Sequence, residues 1–392
     1  MHRPTHAPHI EHMSARTARS LAAVVACLCL AARAQARQSP ATPLAWGTLQ
    51  PGDYPVGFTA FTSIDSAGGP GRAGRPVQIS VWYPARATAT AARMTYGDYT
   101  DLSATERGDE ATGEALSRAR AQFTAFLSSN GVPTAPVERW LASAMLATRD
   151  AARRTPTGPL VLIAQGNGQT AYSQAVLAEY LASRGFVVVS TPSPLRTGSR
   201  LGSDDDVYPV AMLQSDDLRF AMRETVRRGL HSGSAVTVIG HSFGARAGLL
   251  VLASGAASEL ISLDGGIANR AGNAWLAGSP LRPSDISGSI VHLFQDGDST
   301  VQPDFSLMHR MTRASRVLVR ADEMRHWQFT SFGTIASSFP DVSPGAATAV
   351  GARAAVETVE FVACLLRSRP GTQARVRRCL AGRPQLHVVG EP

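Results

Sequence analysis

The chain contains no lysine: all 38 of its basic residues are arginine. Total replacement of this kind reads as a coding bias rather than a binding surface. The arginines are scattered and no nucleic-acid motif accompanies them, so the net charge of +8 does not argue for a nucleic-acid partner. Without lysine, the turn Asn167-Gly168-Gln169 cannot serve as a phosphate loop. Cysteine is scarce too, at four residues in 392, and none has the neighbours of a catalytic thiol or a metal site. The acidic runs Asp204-Asp205-Asp206 and Asp216-Asp217 lack the spacing of a calcium loop and read as solvated. No metal or cofactor is implied. Long apolar runs are also missing, since the stretch 21–32 is too short to span a bilayer.

That short stretch reads instead as a targeting signal. Arg16 and Arg19 precede it, and Ala34-Gln35-Ala36 places small residues where a signal peptidase reads, so cleavage is expected before Arg37. Met13 is an alternative start, because the residues before it add mainly histidine and proline. The segment 1–36 is therefore expected to be removed, leaving an exported periplasmic or secreted protein with no stable membrane span. Cys27 and Cys29 leave with it. The remaining pair, Cys364 and Cys379, can form one bridge in an oxidising compartment.

The rest is 44% hydrophobic overall and large enough for one extensive core. Two strands, 59–64 and 77–83, suit an antiparallel hairpin around the glycine-rich turn 67–74. From 94 to 155 the texture is helical, with stretches at 113–127 and 137–153, and reads as a helical insertion beside or over the site. Strands and helices then alternate: strands at 160–164, 186–190, 236–239, 260–263, 290–294 and 316–319, and helices at 172–183, 216–228 and 352–366. Such alternation implies an α/β fold with a mostly parallel central sheet, helices on both faces and ligands at the strand C-termini. The domain is expected to run from 37 to 370, followed by an arginine-rich C-terminal tail, 371–392.

Within this pattern one segment carries chemistry. Gly240-His241-Ser242-Phe243-Gly244 follows the β-branched run 235–239 and precedes the small, apolar helical stretch 245–253. Strand, G-x-S-x-G turn and helix together make a nucleophile elbow, in which a Cβ at either glycine would clash. A serine hydroxyl needs a base within hydrogen-bond reach. Of the four later histidines, His292 falls inside a strand, His309 on a helix and His387 in the tail, which leaves His326 in the loop after the last apolar strand. The acid stays open between Asp264 and Asp298, since each ends a strand. The oxyanion donors are expected from the backbone of Phe243 and from the turn Gln165-Gly166-Asn167-Gly168, at Asn167.

Several separated segments resemble the platelet-activating factor acetylhydrolase family and its bacterial dienelactone-hydrolase-like relatives, which have the α/β-hydrolase fold. They are Tyr54-Pro55-Val56-Gly57, Val81-Trp82-Tyr83-Pro84, the elbow 240–244, Leu263-Asp264-Gly265 and the H-x-x-F-x-x-F run from His326 to Phe332. The likeness covers roughly 46–366 and implies a Ser242–Asp264–His326 triad in place of Asp298. It also implies a small-molecule ester as substrate, lipid-derived types included. Gln165 departs from the pattern, standing where a histidine usually buttresses the oxyanion loop. That departure keeps a catalytically impaired binding protein as an alternative, beside a peptidase or thioesterase of the same fold. In the insertion, Phe123, Phe126, Leu127, Trp140, Leu141, Met145 and Leu146 either pack on the sheet or line an acyl pocket, which would favour esters of short to medium acyl chain.

Overall fold

The computed structural model describes residues 42–390, apart from 67–73, 88–91, 130–131, 156–157, 234–235, 278, 299–300, 340–347 and 369–372. The expected signal segment and its cleavage point lie outside the described residues, as does most of the turn 67–74. Among the described residues, no helix is long and apolar enough to cross a membrane.

Among the described residues, ten strands form one sheet. In chain order they are β1 (Val56–Asp65), β2 (Arg75–Pro84), β3 (Ala147–Arg149), β4 (Leu160–Ala164), β5 (Val187–Ser190), β6 (Val236–His241), β7 (Glu259–Leu263), β8 (Gly288–Phe294), β9 (Ala314–Ala321) and β10 (Leu386–Val388). Their order across the sheet is β10-β9-β8-β7-β6-β4-β5-β2-β1-β3. The six central strands, β4 to β9, run parallel, and β1 and β2 form the expected antiparallel hairpin at one side.

Strand alternation feeds two cores, one on each face. Val161, Ile163 and Ile239 point to one, where they meet α4 (Ala175–Ala182) and α10 (Ala349–Leu366). Leu160, Leu162 and Val238 point to the other, against α5 (Val207–Arg227) and α6 (Gly244–Ala253). From β4 the chain moves outward to β5 and then returns across β4 to β6. The C-terminal ends of β4 and β6 therefore flank the switch point where doubly wound sheets open a crevice for ligands.

Three sequence expectations need correction. The stretch 137–153 is not one helix: α3 (Thr134–Ala142) ends early, and β3 adds in parallel to β1 at the sheet edge. A buried carboxylate explains this, since the Glu179 side chain accepts the N–H groups of Leu146 and Ala147, both at 2.9 Å. Tyr99 Oη (2.8 Å) and Trp46 Nε1 (3.1 Å) donate to the same group, so α4 anchors the insertion to the sheet. The expected tail is structured: α11 (Gln373–Leu380) leads into β10, which pairs antiparallel with β9. Within it, Arg375 is fully buried in an ion pair with Glu259 at the start of β7. Cys364 and Cys379 are joined by a disulfide that ties α11 to α10. Third, the acidic runs are not both solvated. Asp217 is buried and ion-paired with Arg75 on β2, and Asp206 accepts the Gly202 and Ser203 N–H groups ahead of α5.

Candidate active site

The elbow is as tight as its sequence requires. A Cβ on Gly240 would stand 2.5 Å from the Ala245 Cα, and one on Gly244 would stand 2.1 Å from the Ala164 carbonyl oxygen. Ser242 is held at φ 52°, a left-handed conformation that a non-glycine residue keeps only when its surroundings enforce it. Its backbone is pinned on both sides, by the Leu263 carbonyl accepting Ser242 N–H and by Gly266 N–H donating to Ser242 O. The side chain is thereby lifted off the end of β6.

His326 begins a short 3-10 turn, His326–Phe329, after β9. Its Nε2 lies 2.9 Å from Ser242 Oγ and its Nδ1 2.7 Å from Asp264 Oδ2. Asp264 follows β7, the strand next to β6, and is also left-handed at φ 43°. Serine, imidazole and buried carboxylate thus form one hydrogen-bonded line. Asp298 follows β8, one strand farther out, and its backbone is linked to this group through Gln295. Its N–H donates to Gln295 Oε1 at 2.6 Å, and Gln295 Nε2 stands 3.3 Å from Asp264 Oδ2. Gln295 was missed in the sequence, where no motif marks it.

Phe243 precedes the first turn of α6, where backbone N–H groups have no intrahelical acceptor. In the turn after β4, the Gly166 N–H is taken by Gln169 Oε1 at 2.6 Å, and Asn167 lies exposed at the tip. Gln165 is fully buried. Its Nε2 donates to the Ala171 carbonyl at 3.0 Å and to Ser190 Oγ at 2.9 Å, so an amide ties the turn to β5 where the resemblance calls for a histidine.

A cleft of about 220 Å³ lies between this turn and Trp327, with Asn167 and Gly168 also in its lining. Phe123, Phe126 and Phe332 form an aromatic wall, and Ser103, Tyr172 and Arg196 a polar one. Of the apolar insertion residues, Phe123 and Phe126 line the cleft, whereas Leu127, Trp140, Met145 and Leu146 are buried in the core. Trp140 backs the wall, with ring centroids 5.2 Å from Phe123 and 5.1 Å from Phe332. At the rim, Phe126 and Trp327 touch at 5.7 Å while 42% and 40% exposed, and exposed large apolar residues that cluster in this way mark binding grooves. Behind the polar wall, Glu106 is ion-paired with Arg196, and burial pushes its carboxyl up to about 7 against that pairing.

His292 is buried with Nδ1 2.9 Å from Ser262 Oγ, and burial depresses its pKa to about 3. His309 lies on α8 (Ser306–Arg310), and His387 on β10 pairs with Asp322. None of the three contacts the Ser242 group.

The parallel sheet, the elbow and the chain order serine, acid, histidine define the α/β-hydrolase fold, and the chain has it. Among solved structures it is similar to the ferulic acid esterase from Streptomyces cinnamoneus, with a TM-score of 0.63 and 17% identity over 90% of this chain and 100% of that one. No protein-family model matches the chain, and no curated protein matches it.

Proposed function

We propose that the protein is an exported serine hydrolase that cleaves carboxylic esters through an acyl-enzyme. The observation that carries this reading is the unbroken line from Ser242 Oγ through the His326 ring to Asp264, at the switch point of the sheet. Ser242 Oγ attacks the ester carbonyl while His326 Nε2 takes its proton. His326 then protonates the leaving alcohol, and a water attacks the acyl-enzyme by the same route in reverse. Asp264 keeps Nδ1–H in place and stabilises the imidazolium. Phe243 N–H, with Asn167 N–H, receives the oxyanion, where one donor is worth about 2.7–4 kcal/mol.

The acyl group occupies the aromatic-walled cleft, which suits short to medium chains, lipid-derived esters included, in keeping with the resemblance to platelet-activating factor acetylhydrolases. A second reading, an ester of an aromatic acid, is favoured by the presence of both aromatic and polar side chains in the cleft lining. The solved structure the chain resembles is itself a ferulic acid esterase. The binding-protein alternative rested on Gln165, and the two hydrogen bonds of its amide weaken that objection. The disulfide accords with export, which N-terminal sequencing of the mature protein tests: a first residue at Arg37 is expected.

Assay of the purified protein on p-nitrophenyl acetate and butyrate, beside Ser242→Ala, tests the mechanism. Equal rates for the two proteins would sink it. Matched ester, thioester and amide substrates separate the esterase from the thioesterase and peptidase readings.

A further inference from the structure

The proton relay uses Ser242, His326 and Asp264, yet a second histidine is built into the same place. His241 ends β6, directly before the nucleophile, and is only 1% exposed. Its ring lies against that of His326, with centroids 4.8 Å apart and planes at 32°. His241 Nε2 stands 3.2 Å from the backbone carbonyl oxygen of His326, and Nδ1 stands 3.1 Å from Gln169 Oε1. One side chain therefore touches both the loop that carries the base and the turn that follows β4.

A polar ring buried this deeply is costly unless its nitrogens are used. Burial, and then the neighbouring His326, hold His241 well below the ordinary 6.5, so the ring is neutral and has a single N–H. Both groups that face it are acceptors. Gln169 Oε1 already accepts the Gly166 N–H at 2.6 Å, so the His326 carbonyl has the stronger claim on that hydrogen. The tautomer is then Nε2–H, and Nδ1, which carries no hydrogen, makes no hydrogen bond to the Gln169 oxygen beside it.

We propose that His241 is a positioning residue, whose Nε2–H holds the backbone of His326 so that the base stays in line between Ser242 and Asp264. The inference rests on the ester-hydrolase reading. His326 sits on a short turn, and the two side-chain bonds it makes fix the imidazole only as well as its own backbone is fixed. Displacement of a catalytic group by an ångström costs on the order of 100-fold in rate. Such a role lowers kcat and leaves KM nearly unchanged, since His241 does not line the cleft.

Two substitutions separate the nitrogens. His241→Gln carries its amide to the level of Nε2, whereas His241→Asn carries it only to the level of Nδ1. Both variants of the full chain are assayed on p-nitrophenyl butyrate, with the active fraction titrated by a phosphonate and the melting temperature recorded. We expect His241→Asn to lose roughly 10–100-fold in kcat per titrated site at similar KM, and His241→Gln to recover most of it. Equal kcat for the two variants, or a loss confined to KM or to the folded fraction, would overturn the proposal. Absence of turnover in the unsubstituted protein would overturn the ester-hydrolase reading and this role with it.

Discussion

The side-chain amide of Gln295 faces the carboxylate of Asp264 at 3.3 Å, on the same oxygen that His326 Nδ1 approaches at 2.7 Å. Gln295 Oε1 in turn accepts the Asp298 N–H. The two acids that the sequence left open are thus connected, but only Asp264 meets the imidazole. Asp264→Asn is expected to lower kcat by up to about 10⁴-fold, because an amide there favours the wrong histidine tautomer. Asp298→Asn keeps its backbone N–H and is expected to be much milder. Steady-state kinetics of the two variants check this, and the reverse ranking would move the role to Asp298.

The cleft wall gives a split between stability and specificity. Trp140 is fully buried behind the wall, so Trp140→Ala is expected to cost about 3–5 kcal/mol of stability. Phe123 lines the cleft itself. In the parent, kcat/KM is expected to rise from acetate to hexanoate, since each bound methylene contributes on the order of 1–3 kcal/mol. Phe123→Ala should flatten that rise. A flat series in the parent would mean that the alcohol side of the ester sets specificity.

Cys364 and Cys379 close a loop with a separation of 15 residues. In the chain-entropy account, a loop of that size contributes roughly 3 kcal/mol. Replacing both cysteines by serine is expected to lower the free energy of unfolding by that order in a denaturant titration, with the turnover of the folded fraction nearly kept. The bridge ties α10 to α11, and neither helix supplies a residue of the Ser242 group.

Glu106 supplies a pH prediction. Its carboxyl titrates at about 7 in the fold and near 4.5 when free, so between these values the folded chain binds the extra proton. Its contribution to stability is full below pH 4.5 and is lost as the pH rises toward 7. The melting temperature of Glu106→Gln, relative to the parent, should therefore rise across that window and level off above it. A difference that falls with pH would show that Arg196 keeps the carboxylate ionised instead.

How much could be read in advance follows from how local each feature is. The elbow was legible because strand, glycines and helix lie within some twenty residues and each constrains the next. The parallel sheet was legible from alternating apolar runs. The choice between Asp264 and Asp298 was not settled by the residues alone, because both end strands; which strand lies next to β6 is a fact of topology. The Glu179 anchor was invisible, since the partners of its carboxylate lie 133, 80, 33 and 32 residues away. For the same reason β3 read as helix, and nothing set Arg375 apart from the other arginines, since its partner Glu259 lies 116 residues before it. His241 was passed over because a residue inside a motif's variable position carries no signal of what its ring will meet.

The most direct test of the account is covalent. The full chain is incubated with a fluorophosphonate ester, digested and mapped by mass spectrometry, beside Ser242→Ala and His326→Ala. The account requires a single adduct on the peptide that carries Ser242, absent from Ser242→Ala and formed far more slowly in His326→Ala. A protein with no adduct, with the adduct on another residue, or with unchanged labelling in His326→Ala would contradict it.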